Sequence, residues 1–369
     1  MGWFEMNVKN GFAHVYCCFD VANFVELDKI KKILNKQPEE SPIQLDKLSP
    51  TYMQYAEPPL LLQLGKKTLK LDDFEVSSLV SAKIYPFGVV SIIFRIPLKG
   101  SLESIKKAAV ELGDSKGKIV AEAKTFLARL LKDMTESLVK PNPQQENDVL
   151  MVFHVREFEE KVSAQEFLKK NSEDIAVLLT SEDKDLSDKA LSEVLKNNSS
   201  YYKNDLAIAY GNAAFLIDPS EAFDMLDIME FAFTQGIELR LFDSLLDKEL
   251  DKAYDEVEKS GKAGFFYNYE AARDGVAQLR LEVSEVVEKV DNALKLVGDS
   301  YLARVYALAS NALHLHEWRA GIEAKLDSLE YVYEVLDDKA QSKRDLKFWV
   351  LLTVLEVVIT ILIALEFFV

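Results

Sequence analysis

Chemistry needs a nucleophile, a base or a metal ligand at a usable spacing, and few residue sets in this chain qualify. The four histidines are His14, His154, His314 and His316. His314 and His316 stand two apart on an expected helix, which turns their side chains about 200° from one another, so they cannot readily share a metal. No H-E-x-x-H run exists, and two cysteines, Cys17 and Cys18, cannot make a four-thiolate site. Adjacent strand residues point to opposite faces, so these two are also poor partners for a disulfide. Gly113 to Gly117 matches the bare G-x-S-x-G string but falls between two stretches of helical periodicity rather than between a strand and a helix, so no nucleophile elbow is expected, and no G-x-G-x-x-G occurs. Gly65-Lys66-Lys67-Thr68 is the nearest approach to a phosphate loop, but the glycine needed five positions earlier is Leu60, and the stretch reads as a loop with a lysine pair. With 61 acidic residues, carboxylate pairs carry no information about acid–base catalysis. No catalytic, cofactor-binding or metal-binding residues are expected, and no cofactor.

One polar set is out of place. Phe348 to Val369 reads FWVLLTVLEVVITILIALEFFV. At about 1.5 Å per residue these roughly 22 positions reach about 33 Å, enough for a hydrocarbon core of about 30 Å. Within that stretch Thr353, Glu356 and Thr360 fall at i, i+3 and i+7, on one helix face. A carboxylate at such a depth is costly unless protonated, paired or facing protein. This face is therefore expected to meet another membrane helix, in a second copy of the chain or in a partner membrane protein; the bland alternative is a tolerated, snorkelling side chain. Lys339, Lys343, Arg344 and Lys347 precede the stretch, and Trp349 takes the place of an interfacial aromatic. Lys343, Arg344, Lys347 and Trp349 are thus the expected contacts with membrane lipid. The positive flank places the larger N-terminal part on the cytoplasmic side of a single-pass membrane protein. MGWFEMNVKNGF lacks the apolar run of a secretory signal, and Met6 breaks the myristoylation pattern.

The remainder must position or carry these features. A net charge of −17 disfavours direct binding to nucleic acid. Before residue 218, short apolar runs read as strands: Phe12 to Phe19, Ser81 to Ile96, Asp148 to Val155 and Asp174 to Leu179, then DLAIAY and AAFLID joined by the Gly211-Asn212 hairpin signal. Leu102 to Leu112 and Ile119 to Leu138 carry helical periodicity, and Leu138 to Asp148 reads as a linker. After Pro219 no strand signal remains. A helix is expected from Ser220, capped by Asp218, to about Ser260, with Gly261 to Gly264 breaking it. Its segment Glu230 to Leu250 reads as an amphipathic helix packing on the sheet, with Arg240 placed to pair Asp243 or Asp247. Leu279, Val283, Val286, Val290, Ala293 and Val297 then alternate at four- and three-residue steps, as do Ile322, Leu326, Leu329, Tyr333 and Leu336. Between these two seams, after a break at Gly298-Asp299, a helix is expected from Tyr301 to Leu315. Both seams are read as packing within one chain rather than between chains.

The expected architecture is α+β: a cytoplasmic mixed sheet-and-helix domain over 1–218, a helical hairpin or bundle over 219–347, and a transmembrane tail anchor over 348–369. The ordered motifs PFGVVSIIF, DLAIAYGNAAFLID, FAFTQGIELRLFDSLLDKEL, DNALKLVGDSYLARVYALA and HEWRAGIEAKLDSLEYVYEVLDD, followed by an apolar tail with a glutamate, resemble the required-for-meiotic-nuclear-division (YagE-like) family, in particular its prokaryotic branch. The resemblance covers roughly residues 80–369 and is strongest from Asp205 onward. It implies a large soluble domain with a C-terminal membrane helix and no catalytic residues to carry over. The expected function is a non-enzymatic, oligomeric, membrane-tethered scaffold or adaptor. Two alternatives stand beside it: an enzyme or small-ligand sensor with a pocket in the α+β part, and a membrane tether linked to translation.

Overall fold

The computed structural model describes residues 7–35, 44–45, 53–55, 57–72, 74–142, 146–160, 162–219, 224–263, 269–292, 294–296 and 300–367. Along the chain come β1 (Asn7–Asp20), β2 (Ala22–Val25), α1 (Leu27–Asn35), β3 (Gln44–Leu45), β4 (Met53–Tyr55), β5 (Leu60–Lys70), β6 (Glu75–Ile84) and β7 (Val89–Ser101). Then follow α2 (Leu102–Asp114), α3 (Lys116–Met134), β8 (Leu138–Pro141), β9 (Asn147–Phe158), α4 (Ala164–Lys170), α5 (Ser172–Thr180), α6 (Asp188–Lys196), β10 (Asn198–Ser199), β11 (Leu206–Tyr210) and β12 (Ala213–Ile217). The chain continues as α7 (Asp224–Ala263), α8 (Tyr269–Asn292), β13 (Leu294–Leu296), α9 (Ser300–Ala312) and α10 (Leu315–Phe367).

Packing divides the chain into two compact units: Met1–Leu239 with Glu288–Glu317, and Arg240–Val287 with Trp318–Val369. The first unit is built on a nine-stranded sheet ordered β10-β11-β12-β9-β1-β7-β6-β5-β3. Its pairs are antiparallel except β12 on β9, so the sheet is mixed. Long central strands are buried on both faces, which is why β1 and β9 read as nearly unbroken apolar runs. On one face Val15, Cys17, Phe19, Ile92, Phe94 and Phe153 join α2, α3 and α5 in a single apolar core. Serine caps start three of the covering helices: Ser101, Ser163 and Ser187 accept the backbone N–H of Ser104, Glu166 and Ala190.

Several expectations change here. Ser81 to Ile96 is two strands, β6 and β7, turned at Tyr85–Gly88, where the Gly88 N–H donates to the Tyr85 carbonyl. Gly88 sits at φ +104°, and a Cβ there would lie 1.7 Å from the Ala22 carbonyl oxygen, so the turn accepts no other residue. Asp174 to Leu179 is helix, not strand. Ile175 through Leu179 are all buried, and a short run buried all round has no period to separate the two states. Gly65-Lys66-Lys67-Thr68 belongs to strand β5, with Gly65 at a register shift against β6. The start of the expected linker, Leu138–Pro141, pairs with β2. Beyond Pro219 one short strand does form, β13 on β4.

In the second unit α8 and α10 lie antiparallel. Arg280 pairs with Glu330 at 2.8 Å and Arg273 with Asp337 at 3.0 Å. The Ile322 seam is buried at Ile322, Leu329 and Leu336, seven residues apart, and Ala340 continues its spacing, while Leu326 and Tyr333 are half-buried and Val332, beside Tyr333, is buried. Val283 is buried. The side chains of Leu279, Val286 and Val290, with Ala293, Val297 and Gly298-Asp299, lie outside the described residues, as does Ser220. The described part of α7 begins at Asp224, and the helix start expected after Asp218 and Pro219 falls on 220–223, outside the described residues. Gly261 lies inside α7, which ends at Ala263. The helix expected from Tyr301 to Leu315 is interrupted at His314, whose φ of 54° is left-handed; α10 begins at the next residue and runs unbroken to Phe367.

Candidate functional site

The two faces of the sheet differ in chemistry. Opposite the apolar core, alternation along β1, β7 and β6 presents His14, Tyr16, Cys18 and Asp20, then Ser91, then Lys83. The start of α7 brings Asp227, Glu230, Thr234 and Glu238 to one helix face at steps of three and four. Lys83 Nζ donates to Asp227 Oδ1 at 2.8 Å and to Glu230 Oε2 at 2.5 Å. Lys83 and Glu230 are 2 % and 1 % exposed. Burial pushes the Glu230 carboxyl up, and the Lys83 ammonium opposes that shift. Burial likewise raises Tyr16 and Cys18 well above their ordinary values, and Cys17 to about 12. Neither thiol is a nucleophile at neutral pH.

A second acidic pair sits along the same face. Glu238 is 2 % exposed, and burial, then the charge of Asp20, holds its carboxyl well up. Asp20 is raised to about 6 by burial, against a donated hydrogen bond from Asn142. A carboxyl raised on folding stabilises the fold fully below its unfolded value of 3.8, and that contribution is lost as pH rises through about 6. Replacing Asp20 by Asn should therefore leave acid stability alone and raise stability at neutral pH by up to about 3 kcal/mol, at 1.36 kcal/mol per unit. Urea titrations of both proteins at acid and neutral pH check this; an unchanged gap contradicts it.

The histidines complete the layer. The rings of His14 and His154 lie 6.0 Å apart, both buried, and burial lowers both, so they are neutral at physiological pH. His154 Nε2 meets the Asp218 carbonyl at 3.2 Å. His314 and His316 stand apart from this pair, His314 in the helix break beside Glu317 at 3.5 Å. Among the described residues no three His, Cys, Asp or Glu side chains converge as metal ligands. On this face His14, Tyr16, Cys18, Lys83 and Glu230 are all buried. A cleft of ≈ 460 Å³ lies between β5 and α3, lined by Lys67, Lys70 and Lys118 among others. Those lysines pair with Glu122, Glu75 and Asp72, which removes the positive field an anion would need.

The strongest surface feature is the far end of α10. It is the one helix, among the described residues, long and apolar enough to cross a membrane, and its apolar window is wholly unburied. Phe348, Trp349, Leu351, Leu355, Ile359 and Leu362 are all more than half exposed or nearly so. Thr353, Glu356 and Thr360 do share a face of this helix. The Thr353 hydroxyl donates to the Trp349 carbonyl at 2.9 Å and Thr360 to that of Glu356 at 2.8 Å, so each spends its hydrogen on its own helix. Glu356 is left as the principal polar group of the stripe; the side chain of Glu366 lies outside the described residues. Just before the span, Lys343 Nζ stands 5.6 Å from the Tyr269 ring centre, and Arg344 Nε is 3.9 Å from Glu270. Asp243 and Asp247, the partners expected for Arg240, both meet Lys325 at 2.6 Å.

Sequence reasoning missed Lys83, Asp227 and Glu230. The signal was present in SAKIY and MEFAF, where a single charge interrupts an apolar run.

A family model described as "Uncharacterized protein MJ0711, N-terminal domain" matches residues 10–224. The Uncharacterized protein MJ0711 of Methanocaldococcus jannaschii is 27% identical over 177 residues, covering 48% of this chain and 54% of the relative. The chain thus spans about half the length of the curated relative it matches. No solved structure matches. The matched residues contain Tyr16, Cys18, Lys83 and Ser91 and stop where α7 begins, short of Asp227, Glu230 and the apolar end of α10.

Proposed function

The chain belongs to the MJ0711 N-terminal domain family, and from that premise we propose that it is a non-enzymatic, membrane-tethered scaffold or adaptor that self-associates through its membrane helix. The observation that carries this reading is the unburied apolar window of α10, continuous with the helical second unit. The basic residues ahead of the span support a cytoplasmic side for the bulk of the chain. A relation to the required-for-meiotic-nuclear-division family is part of the same proposal, supported by the ordered motifs from Asp205 onward.

Glu356 is the contact that the reading turns on. A carboxyl in the bilayer with no intramolecular donor gains most from a second helix, where a protonated carboxyl can donate to a threonine oxygen or another carboxyl. Such bonds contribute on average about 0.6 kcal/mol each, so they select a partner more than they hold it. Full-length protein in mild detergent is expected to sediment as an oligomer. Glu356→Leu should move it toward monomer while leaving membrane insertion intact. Two equally monomeric proteins would remove the self-association from this reading.

A further inference from the structure

The antiparallel pair in the second unit fixes the height of α8 relative to the span. As residue numbers fall along α8 they rise along α10: Arg280 meets Glu330, Arg273 meets Asp337, and Glu270 meets Arg344. The register ends at the first turn of α8, where Lys343 stands over Tyr269. On the unbroken helix α10, Arg344 lies about 6 Å before Phe348 and Glu330 about 27 Å before it, at 1.5 Å per residue. The headgroup layer on each side of the hydrocarbon is roughly 5–8 Å thick. Arg344, and with it Tyr269 and Glu270, therefore falls inside that layer, while Arg280 falls well outside. A tilt of about 20° displaces a helix 10 Å away by only about 3 Å, which keeps Tyr269 and Glu270 in or at the edge of that layer and Arg280 far outside it.

We infer that the first turn of α8 is a second membrane contact, seated in the lipid headgroup layer beside the point where α10 enters the bilayer. This rests on the membrane reading of α10. The chemistry at that level fits phosphate headgroups. Tyr269 and Trp349 are amphipathic aromatics suited to the interface, and Trp349 is 66% exposed. Lys343 and Lys347 are one turn apart on α10 and reach the same layer, where long cationic side chains meet phosphate oxygens. Glu270 does not oppose this, because Arg344 stands beside it. The contact would fix the rotation of the second unit about the span, which a single helix crossing cannot do.

The test uses the full chain in vesicles of phosphatidylcholine and phosphatidylglycerol doped with a nickel-chelating lipid. A nitroxide is placed by Glu270→Cys or, about 16 Å farther along the same helix, by Leu281→Cys. Leu281 is 70% exposed, and the native Cys17 and Cys18 are buried. Nickel at the headgroups should enhance relaxation of the label at 270 several-fold more than that at 281. Tyr269→Cys gives an independent reading at the same level if Glu270→Cys folds poorly. Vesicle-bound protein with equal relaxation at both levels overturns this inference alone. Protein that fails to float with the vesicles overturns the membrane reading and this inference with it.

Discussion

Lys83→Met is expected to destabilise the first unit by about 3–5 kcal/mol, because it leaves Asp227 and Glu230 facing a methyl group with no counter-charge. The side chain of Lys83 is 3% exposed and that of Glu230 1%, so water cannot substitute. The bond joins β6 to α7, and those two carboxylates sit where α7 meets the polar face. The loss should appear as a lower urea midpoint and as faster exchange of the amides at the start of α7. The companion Lys83→Met/Glu230→Met protein should recover most of the loss, since removing a buried pair together is far less costly than orphaning one member. A double variant as weak as the single would mean that Lys83 acts through packing rather than charge.

That contact also marks the limit of what the sequence disclosed. The strands β1, β9, β11 and β12 were legible because apolar runs, a hairpin dipeptide and bounded lengths are local signals. The α5 helix was not, because five consecutive buried residues carry no period. β5 was obscured by Gly65 and three lysines in eleven residues, a composition that reads as loop although it suits a strand near the sheet edge. Lys83 and Glu230 are 147 residues apart, and no local pattern announces that they meet. The second seam was half-legible: Ile322, Leu329 and Leu336 were expected and are buried, and Ala340 extends the same spacing, whereas Leu326 and Tyr333 are only half-buried and Val332 is buried off the expected line. For the candidate site the balance is reversed. The position and composition of Thr353, Glu356 and Thr360 were plain from spacing, but only the hydrogen bonds show that both threonines spend their donors internally.

The second large effect concerns where the chain resides. The 16 Leu, Ile, Val and Phe side chains of Phe348 to Val369 favour insertion by roughly 5–10 kcal/mol in total, against a cost of about 3 kcal/mol for one central carboxylate. Insertion is therefore the expected outcome, and the preference is expected to reside in those residues. The rest of α10 before Phe348 carries the buried seam and the ion pairs of the second unit, so a chain ending at Lys347 keeps its packing partners.

The most direct measurement is alkaline carbonate extraction of membranes from cells expressing either the full chain or the chain ending at Lys347. The full chain should remain wholly in the pellet. The shortened chain should appear in the supernatant and unfold cooperatively in urea. A shortened chain that stays in the pellet, or a full chain released by carbonate, would contradict the membrane-tethered account.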